Sequence, residues 1–129
     1  MALSQTRPRI LVVDDDLGSR TLTAIVLTEA GYSPTCVATV ARALERLERS
    51  GADLVVTDLL MPGADGLDLL RAVQAGPDPP PVVAMTASDD QVLIETALEL
   101  GAAAVLRKPI TLARLDATVS ALLRDHAPV

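Results

Sequence analysis

Residues 9–16 read Arg9-Ile10-Leu11-Val12-Val13-Asp14-Asp15-Asp16, a short unbroken apolar run that stops abruptly in three carboxylates. The apolar residues do not alternate with polar ones, so both faces of the segment are to be buried. That is the mark of a strand in a parallel sheet covered by helices on both sides. Leu54 to Thr57 repeats the pattern and ends at Asp58, Val82 to Met85 repeats it and ends at Thr86, and Ala103 to Arg107 leads into Lys108. Ser33 to Val37 is a fifth candidate but contains Pro34. Proline cannot donate to a ladder, so this strand belongs at an edge.

Between these runs the period changes from strand to helix. From Gly18 to Ala30, Leu22, Ile25, Val26 and Glu29 recur at helical spacing, and Gly31 stops the helix as a glycine just past the last turn should. A second helix carries Val40, Ala43, Leu44 and Leu47 on one face and Arg42, Glu45, Arg46, Glu48 and Arg49 on the other. A loop with Pro62 and Gly63 leads to a helix bearing Leu67, Leu70 and Val73. A fourth helix is expected from about Asp89 to Leu100, stopped by Gly101. A fifth is expected from about Thr111 to Arg124, with Leu112, Leu115, Val119 and Leu122 inward. Strand then helix, repeated in this way, is an α/β chain with a doubly wound, five-stranded parallel sheet and five helices. The five-stranded version commonly runs in the order 2-1-3-4-5, which places the Pro34 strand at an edge. No repeat, linker or second domain is visible. Residues 9–124 read as one domain, with 1–8 and 125–129 as tails.

The 129 residues suffice for one core, and half of them are apolar, which excludes a disordered chain. Phe and Trp are absent and Tyr32 is the sole aromatic, so the core is aliphatic. The net charge of −6, without a Lys/Arg-rich block, argues against nucleic-acid binding, and the lack of aromatics against base-stacking platforms. A single cysteine, Cys36, permits no internal disulfide and reads as packing on the edge strand. The first residues hold no apolar stretch of signal-peptide length, and no run approaches the roughly 20 residues that span a bilayer. The expected place is the cytoplasm, away from membranes.

In open α/β sheets, ligands bind beyond the carboxyl ends of the strands, near the point where strand order reverses. Those ends carry Asp14, Asp15 and Asp16 on the first strand, Asp58 on the third, Thr86, Ala87 and Ser88 on the fourth, and Lys108 and Pro109 on the fifth. Clustered carboxylates repel: two charges about 4 Å apart cost roughly 1 kcal/mol in water and about 4 kcal/mol at an effective dielectric near 20. A site holding Asp14, Asp15 and Asp58 therefore calls for a cation, and all-oxygen ligation suits Mg²⁺. Lys108 adds a second positive charge suited to a phosphoryl group, Thr86 a hydrogen-bond donor to it, and a carboxylate is itself a known phosphoryl acceptor. Taken singly, each residue has a plainer reading. Asp16 or Ser19 would cap the first helix, Asp58 would form a turn, Thr86 would end a strand, and Lys108 would be a solvated charge. Their joint appearance at four strand ends is what favours a site. His126 reads as an exposed tail residue.

Four segments carry a family resemblance: Ile10-Leu11-Val12-Val13-Asp14-Asp15-Asp16; Val55-Val56-Thr57-Asp58-Leu59-Leu60-Met61-Pro62-Gly63-Ala64-Asp65-Gly66; Val83-Ala84-Met85-Thr86-Ala87; and Leu106-Arg107-Lys108-Pro109. Over about Arg9 to Leu123 the chain resembles the response-regulator receiver domains of two-component signalling, the family of the chemotaxis response regulator, with its flavodoxin-like sheet. The resemblance implies that Asp58 is the phosphoacceptor. It implies that Asp15, Asp58 and the backbone carbonyl of Leu60 bind Mg²⁺ directly, with Asp14 acting mainly through water. Lys108 would pair with phosphoryl oxygens, Thr86 would move toward them, Ala87 would leave room for the donor, and Pro109 would follow a cis peptide that aims the lysine inward. The implied protein is a single-domain regulator and not an enzyme, though with slow self-dephosphorylation. A sensor histidine kinase or phosphotransfer protein would supply its phosphoryl group. A downstream protein would be met through helix 4, strand 5 and helix 5, by a monomer or weak homodimer.

Two positions depart from the family pattern. Val105 stands where an aromatic residue is usual, and Ile110 follows Lys108-Pro109 where Phe is frequent. The usual Thr–aromatic coupling is thereby excluded, and a phosphorylation-independent scaffold of the same fold is kept as an alternative. A flavin-binding protein would need a Ser/Thr/Gly phosphate cradle where the aspartates stand. A haloacid-dehalogenase-type phosphatase would need an Asp at position 60, which is Leu60.

Overall fold

The computed structural model describes residues 7–61 and 65–126, the side chains of residues 125 and 126 excepted. The expected Pro62-Gly63 loop, most of both tails and the His126 side chain lie outside the described residues. Strands and helices alternate in the order β1 Arg9–Val13, α1 Leu17–Glu29, β2 Ser33–Val37, α2 Val40–Ser50, β3 Leu54–Asp58, α3 Gly66–Ala75, β4 Val82–Thr86, α4 Gln91–Glu99, β5 Ala104–Arg107 and α5 Leu112–His126. All neighbouring strands are parallel, in the order β2-β1-β3-β4-β5. The fold class and strand order match the expectation, and Pro34 lies on the edge strand, opposite Ile10.

Strand period divides the core in two. Leu11, Val13, Val55, Val82 and Ala84 face Ala43 of α2, Leu69, Leu70 and Val73 of α3, and Ala97 of α4. Ile10, Val12, Leu54, Val56, Val83, Met85 and Leu106 face Leu27 of α1 and Leu115 and Val119 of α5. β3 and β4 are buried at every position, as continuous apolar runs between two helical layers must be. Tyr32 closes the second layer: its ring is buried, and its hydroxyl meets Ser120 Oγ at 2.7 Å and Asp116 Oδ1 at 3.3 Å, which ties the start of β2 to α5.

Some helical faces differ from the expected ones. Leu22 and Ile25 of α1 are 61% and 50% exposed, while Leu27 is fully buried. The first helix is apolar on more than one side, so period alone does not say which stripe meets the sheet. Leu44 and Leu112 are also exposed, the first at the margin of its helix and the second in the opening turn of α5. Leu69, not singled out by period, is buried. α4 begins two residues later than expected because Asp90 is its cap, accepting from Val92 N and Leu93 N. Gly31 and Gly101 follow α1 and α4 at φ 98° and 108°, the left-handed conformation that ends a helix.

α3 starts hard against the end of β3. Asp65 caps it in a reciprocal pair with Asp68, and Gly66 N donates to Leu59 O at 3.1 Å. A Cβ on Gly66 would overlap the carbonyl oxygen of Asp58 and lie 2.8 Å from Leu59 Cα. Backbone, unlike a flexible side-chain tip, has no cheap way to yield. Gly66→Ala is expected to destabilise the domain by about 1–3 kcal/mol, the usual range for overpacking. Thermal denaturation of the variant checks this, and an unchanged melting temperature would refute the close approach.

Candidate functional site

The parallel sheet places charge at one rim. Asp14, Asp58 and Lys108 stand two residues past Val12, Val56 and Leu106, all of which face the α1/α5 layer. Because side chains alternate along a strand, the three share a side. β3 lies beside β1, so Asp14 and Asp58 are neighbours, but β5 lies two strands from β3, with β4 between. At about 4.8 Å per strand, the lysine must cross β4. The residue there of matching parity is Ala87, whose methyl leaves the path open.

Lys108 makes that crossing. Its Nζ donates to Asp58 Oδ2 at 3.0 Å, to Asp14 Oδ2 at 3.1 Å and to Ser19 Oγ at 3.0 Å. Asp14 is fully buried and Asp58 is 8% exposed. Asp14 also accepts from Ser19 Oγ at 2.6 Å and from Asp16 N at 3.0 Å, and the Arg20 guanidinium bonds its backbone carbonyl at 2.9 Å. Asp58 Oδ1 accepts from Leu60 N at 3.3 Å, which draws the following loop in beneath the carboxylate. Asp15 is exposed at the rim and has no hydrogen-bond partner among the described residues. One oxygen each from Asp14, Asp15 and Asp58 lies within 4.8 Å of the others. That all-oxygen set fits Mg²⁺, and the unpartnered Asp15 carboxylate is the ligand atom most available to it.

Burial disfavours the charged form of Lys108, but hydrogen bonds and attraction from Asp58 and Asp14 outweigh it and raise the ammonium above its ordinary value of 10.5. A raised lysine contributes stability in full below its unfolded pKa and loses it as pH climbs through the folded one. The Lys108 ammonium is therefore charged at neutral pH, and its contribution is lost as it deprotonates in strongly alkaline solution. Cys36 is half-buried, and burial pushes its thiol up, against the opposing pull of Arg20 and with a smaller push from Asp14. It is a packing residue, as expected.

The other expected site residues stand nearby without joining the cluster. Thr86 is fully buried on the opposite side of β4, and its Oγ1 accepts from Ser88 N at 3.0 Å. Val105 packs on the α2/α3/α4 side of the sheet, opposite Ala84. The Lys108–Pro109 peptide is cis. Asp16 proves to be the cap of α1, accepting from Ser19 N at 2.8 Å. Ser19, readable in the sequence only as an alternative cap, puts its hydroxyl into the cluster instead. A cleft of about 460 Å³ beside Lys108, walled by Leu22, Val26, Met85, Ile110 and Leu115, also escapes sequence reading. It forms between α1 and the β5–α5 connection, segments far apart in the chain.

The family profile described as response regulator receiver domain matches residues 10–120. This chain belongs to that family. Phosphorylation on an aspartate and Mg²⁺ binding at an acidic pocket are typical of the family, and Asp14, Asp15 and Asp58 form an acidic cluster in this chain. The receiver domain is 34% identical over 123 residues to the transcriptional regulatory protein FixJ of Bradyrhizobium diazoefficiens, covering 95% of this chain and 60% of that protein. It is 37% identical over 120 residues to the DNA-binding response regulator MtrA of Mycobacterium leprae, covering 93% and 53%. The chain thus spans between half and two-thirds of the length of these curated relatives. Among solved structures, it superposes on the receiver domain of a signal transduction histidine kinase from Syntrophus aciditrophicus, with TM-score 0.87 and 30% identity over 95% of this chain and 94% of that one. The Francisella response regulator 1452 receiver domain gives TM-score 0.87 and 26% identity over 94% and 100%. No helix among the described residues is long and apolar enough to cross a membrane.

Neutralising the two kinds of charge in this receiver domain should have opposite effects. Lys108→Met leaves the buried Asp14 and the nearly buried Asp58 without their cation, and is expected to cost about 3 kcal/mol without metal. Asp15→Asn removes an unpaired carboxylate from beside two others, and is expected to stabilise the metal-free protein by about 1 kcal/mol. Urea denaturation in EDTA measures both. A Lys108→Met variant as stable as the wild type would show that Lys108 is not what balances the cluster, and a destabilised Asp15→Asn would show that Asp15 is not repelled by it.

Proposed function

We propose that this domain is a Mg²⁺-dependent phosphoacceptor. It receives a phosphoryl group on Asp58 from a sensor histidine kinase or phosphotransfer protein and signals through a changed protein-binding surface. The observation that carries this reading is the Lys108 ammonium lying 3.0 Å from Asp58 Oδ2 and 3.1 Å from Asp14 Oδ2, with Asp15 alongside. In the transfer, an Asp58 oxygen bonds to phosphorus as the donor's P–N bond breaks. The imidazole nitrogen leaves with the electron pair, and an acyl phosphate remains. Asp15, Asp58 and the Leu60 carbonyl would hold Mg²⁺ directly and Asp14 through water; the bound metal supplies charge neutralisation at the phosphoryl oxygens. Lys108 would exchange its bond to Asp58 for one to the phosphoryl group. Ala87 and the cleft beside Lys108 leave the donor its approach.

Output is proposed to run along the β4–α4 connection. Ser88 N donates to Thr86 Oγ1, Asp90 N donates to Ser88 Oγ at 3.0 Å, and Asp90 caps α4. A Thr86 hydroxyl turning toward a phosphoryl group would pull on that chain of bonds and so on α4, with no aromatic residue needed at Val105. On α4, Val92 and Leu98 are 74% and 47% exposed. We assign the α4–β5–α5 face to a downstream protein partner or to weak self-association. For this acidic domain we propose no nucleic-acid contact; DNA binding belongs to the MtrA relatives. A cytoplasmic place goes with this reading.

Acetyl phosphate with Mg²⁺ is expected to add one phosphoryl group, and Asp58→Asn to abolish it, as read by mass spectrometry. An unlabelled wild type would favour the scaffold reading. The label should persist for minutes or longer, because Leu60 is apolar and cannot orient a water, and Leu60→Asn should shorten its life. Hydrogen exchange provides a separate check on output: phosphorylation should alter protection in residues 87–100. Changes confined to the loops around Asp58 would sink the proposed output face.

A further inference from the structure

An ammonium has three protons, and those of Lys108 have three acceptors: Asp58 Oδ2, Asp14 Oδ2 and Ser19 Oγ. The third decides more than it first suggests. Lysine can only donate, so Ser19 Oγ accepts from Nζ, and its own proton goes to the other neighbour, Asp14 Oδ2, at 2.6 Å. The hydroxyl therefore has one orientation. It lies between the cation and the buried carboxylate and closes a three-membered ring with them. Asp14 is then committed at both oxygens, Oδ1 to Asp16 N and Oδ2 to Ser19 and Lys108. The plainer role for a residue at this point, capping α1, is already filled by Asp16.

We propose that Ser19 is a positioning residue for phosphoryl transfer, acting through Lys108 and Asp14. This rests on the phosphoacceptor reading. Through its accepting lone pair, Ser19 fixes the ammonium so that only the bond to Asp58 has to be exchanged when a phosphoryl group arrives. Through its proton, it withdraws an Asp14 oxygen from the metal, leaving Asp15 and Asp58 as the direct carboxylate ligands. Both effects need a hydroxyl at this position, and neither needs the helix-forming role of the residue. Ser19 sits on the wall of the cleft beside Leu22 and Ile110, where an added methyl can be accommodated, so threonine is the conservative replacement.

The test uses Ser19→Ala and Ser19→Thr in the full chain. In Ser19→Ala, Mg²⁺ titrated by calorimetry should bind about 2–5-fold more tightly, because an Asp14 oxygen is released. The side-chain Nζ proton resonance of Lys108 should shift or broaden into exchange with water. The rate of labelling by acetyl phosphate at saturating Mg²⁺ should fall about 5–10-fold, with little change in its dependence on acetyl phosphate concentration. Ser19→Thr should restore all three. If the Lys108 resonance and the Mg²⁺ affinity of Ser19→Ala match the wild type, the proposal is overturned, whatever happens to stability. It is equally overturned if threonine fails to rescue. A wild type that takes no label would instead refute the phosphoacceptor reading, while the resonance and the metal titration still report on Ser19.

Discussion

Bringing like charges to the end of a sheet is unfavourable, and this domain brings Asp14, Asp15 and Asp58 within 4.8 Å of one another. Lys108 makes the arrangement tenable. Its ammonium lies between the two least exposed of the three, and their field holds it charged against the desolvation that opposes it. The rest of the site is built around that one contact. Ala87, at the end of β4, lines the same cleft as the lysine that crosses that strand. Ser19 must meet the third ammonium proton. Asp15 is left facing solvent, without a hydrogen-bond partner among the described residues.

The same contact couples distant parts of the chain. Lys108 and Asp14 are 94 positions apart, and Lys108 and Asp58 are 50 apart. The ion pairs therefore join β1, β3 and β5 across the switch point of the sheet, over a core already divided into two apolar layers. Gly66 brings α3 against the Asp58 carbonyl, so the backbone on the far side of Asp58 is equally constrained. A charge added at Asp58 would thus act on groups that have little freedom to absorb it locally. A chain of bonds runs from Thr86 through Ser88 to Asp90 and ends at a helix bearing exposed Val92 and Leu98. That is a physical reason to look for output at α4 even though Val105 is too small to take the part of an aromatic switch.

Much of this was legible in the sequence. Continuous apolar runs ending in Asp14, Asp58 and Thr86 specify buried parallel strands, because only burial on both faces removes the need for alternation. Pro34 assigns the edge, since a missing N–H is tolerated only there. Gly31 and Gly101 mark helix ends because both need the left-handed backbone. With strand order known, the carboxyl-end rule alone gathers Asp14, Asp15, Asp58 and Lys108 on one rim.

Tertiary structure decided the rest, and the reason is the same in each case. Which stripe of α1 meets the sheet depends on where the helix lands, so Leu22 and Ile25 were as plausible inward as the buried Leu27. Which of Asp16 and Ser19 caps the helix depends on where α1 starts, and it starts at Leu17. Once Asp16 takes that place, Ser19 is free to bond a lysine 89 residues away, a pairing that no local pattern encodes. The cleft between α1 and the β5–α5 connection exists only because β1 and β5 flank the same layer. Local periodicity and backbone chemistry determine which elements form and what stands at their ends. Contacts between side chains far apart in sequence depend on angles and distances that only the packed sheet supplies.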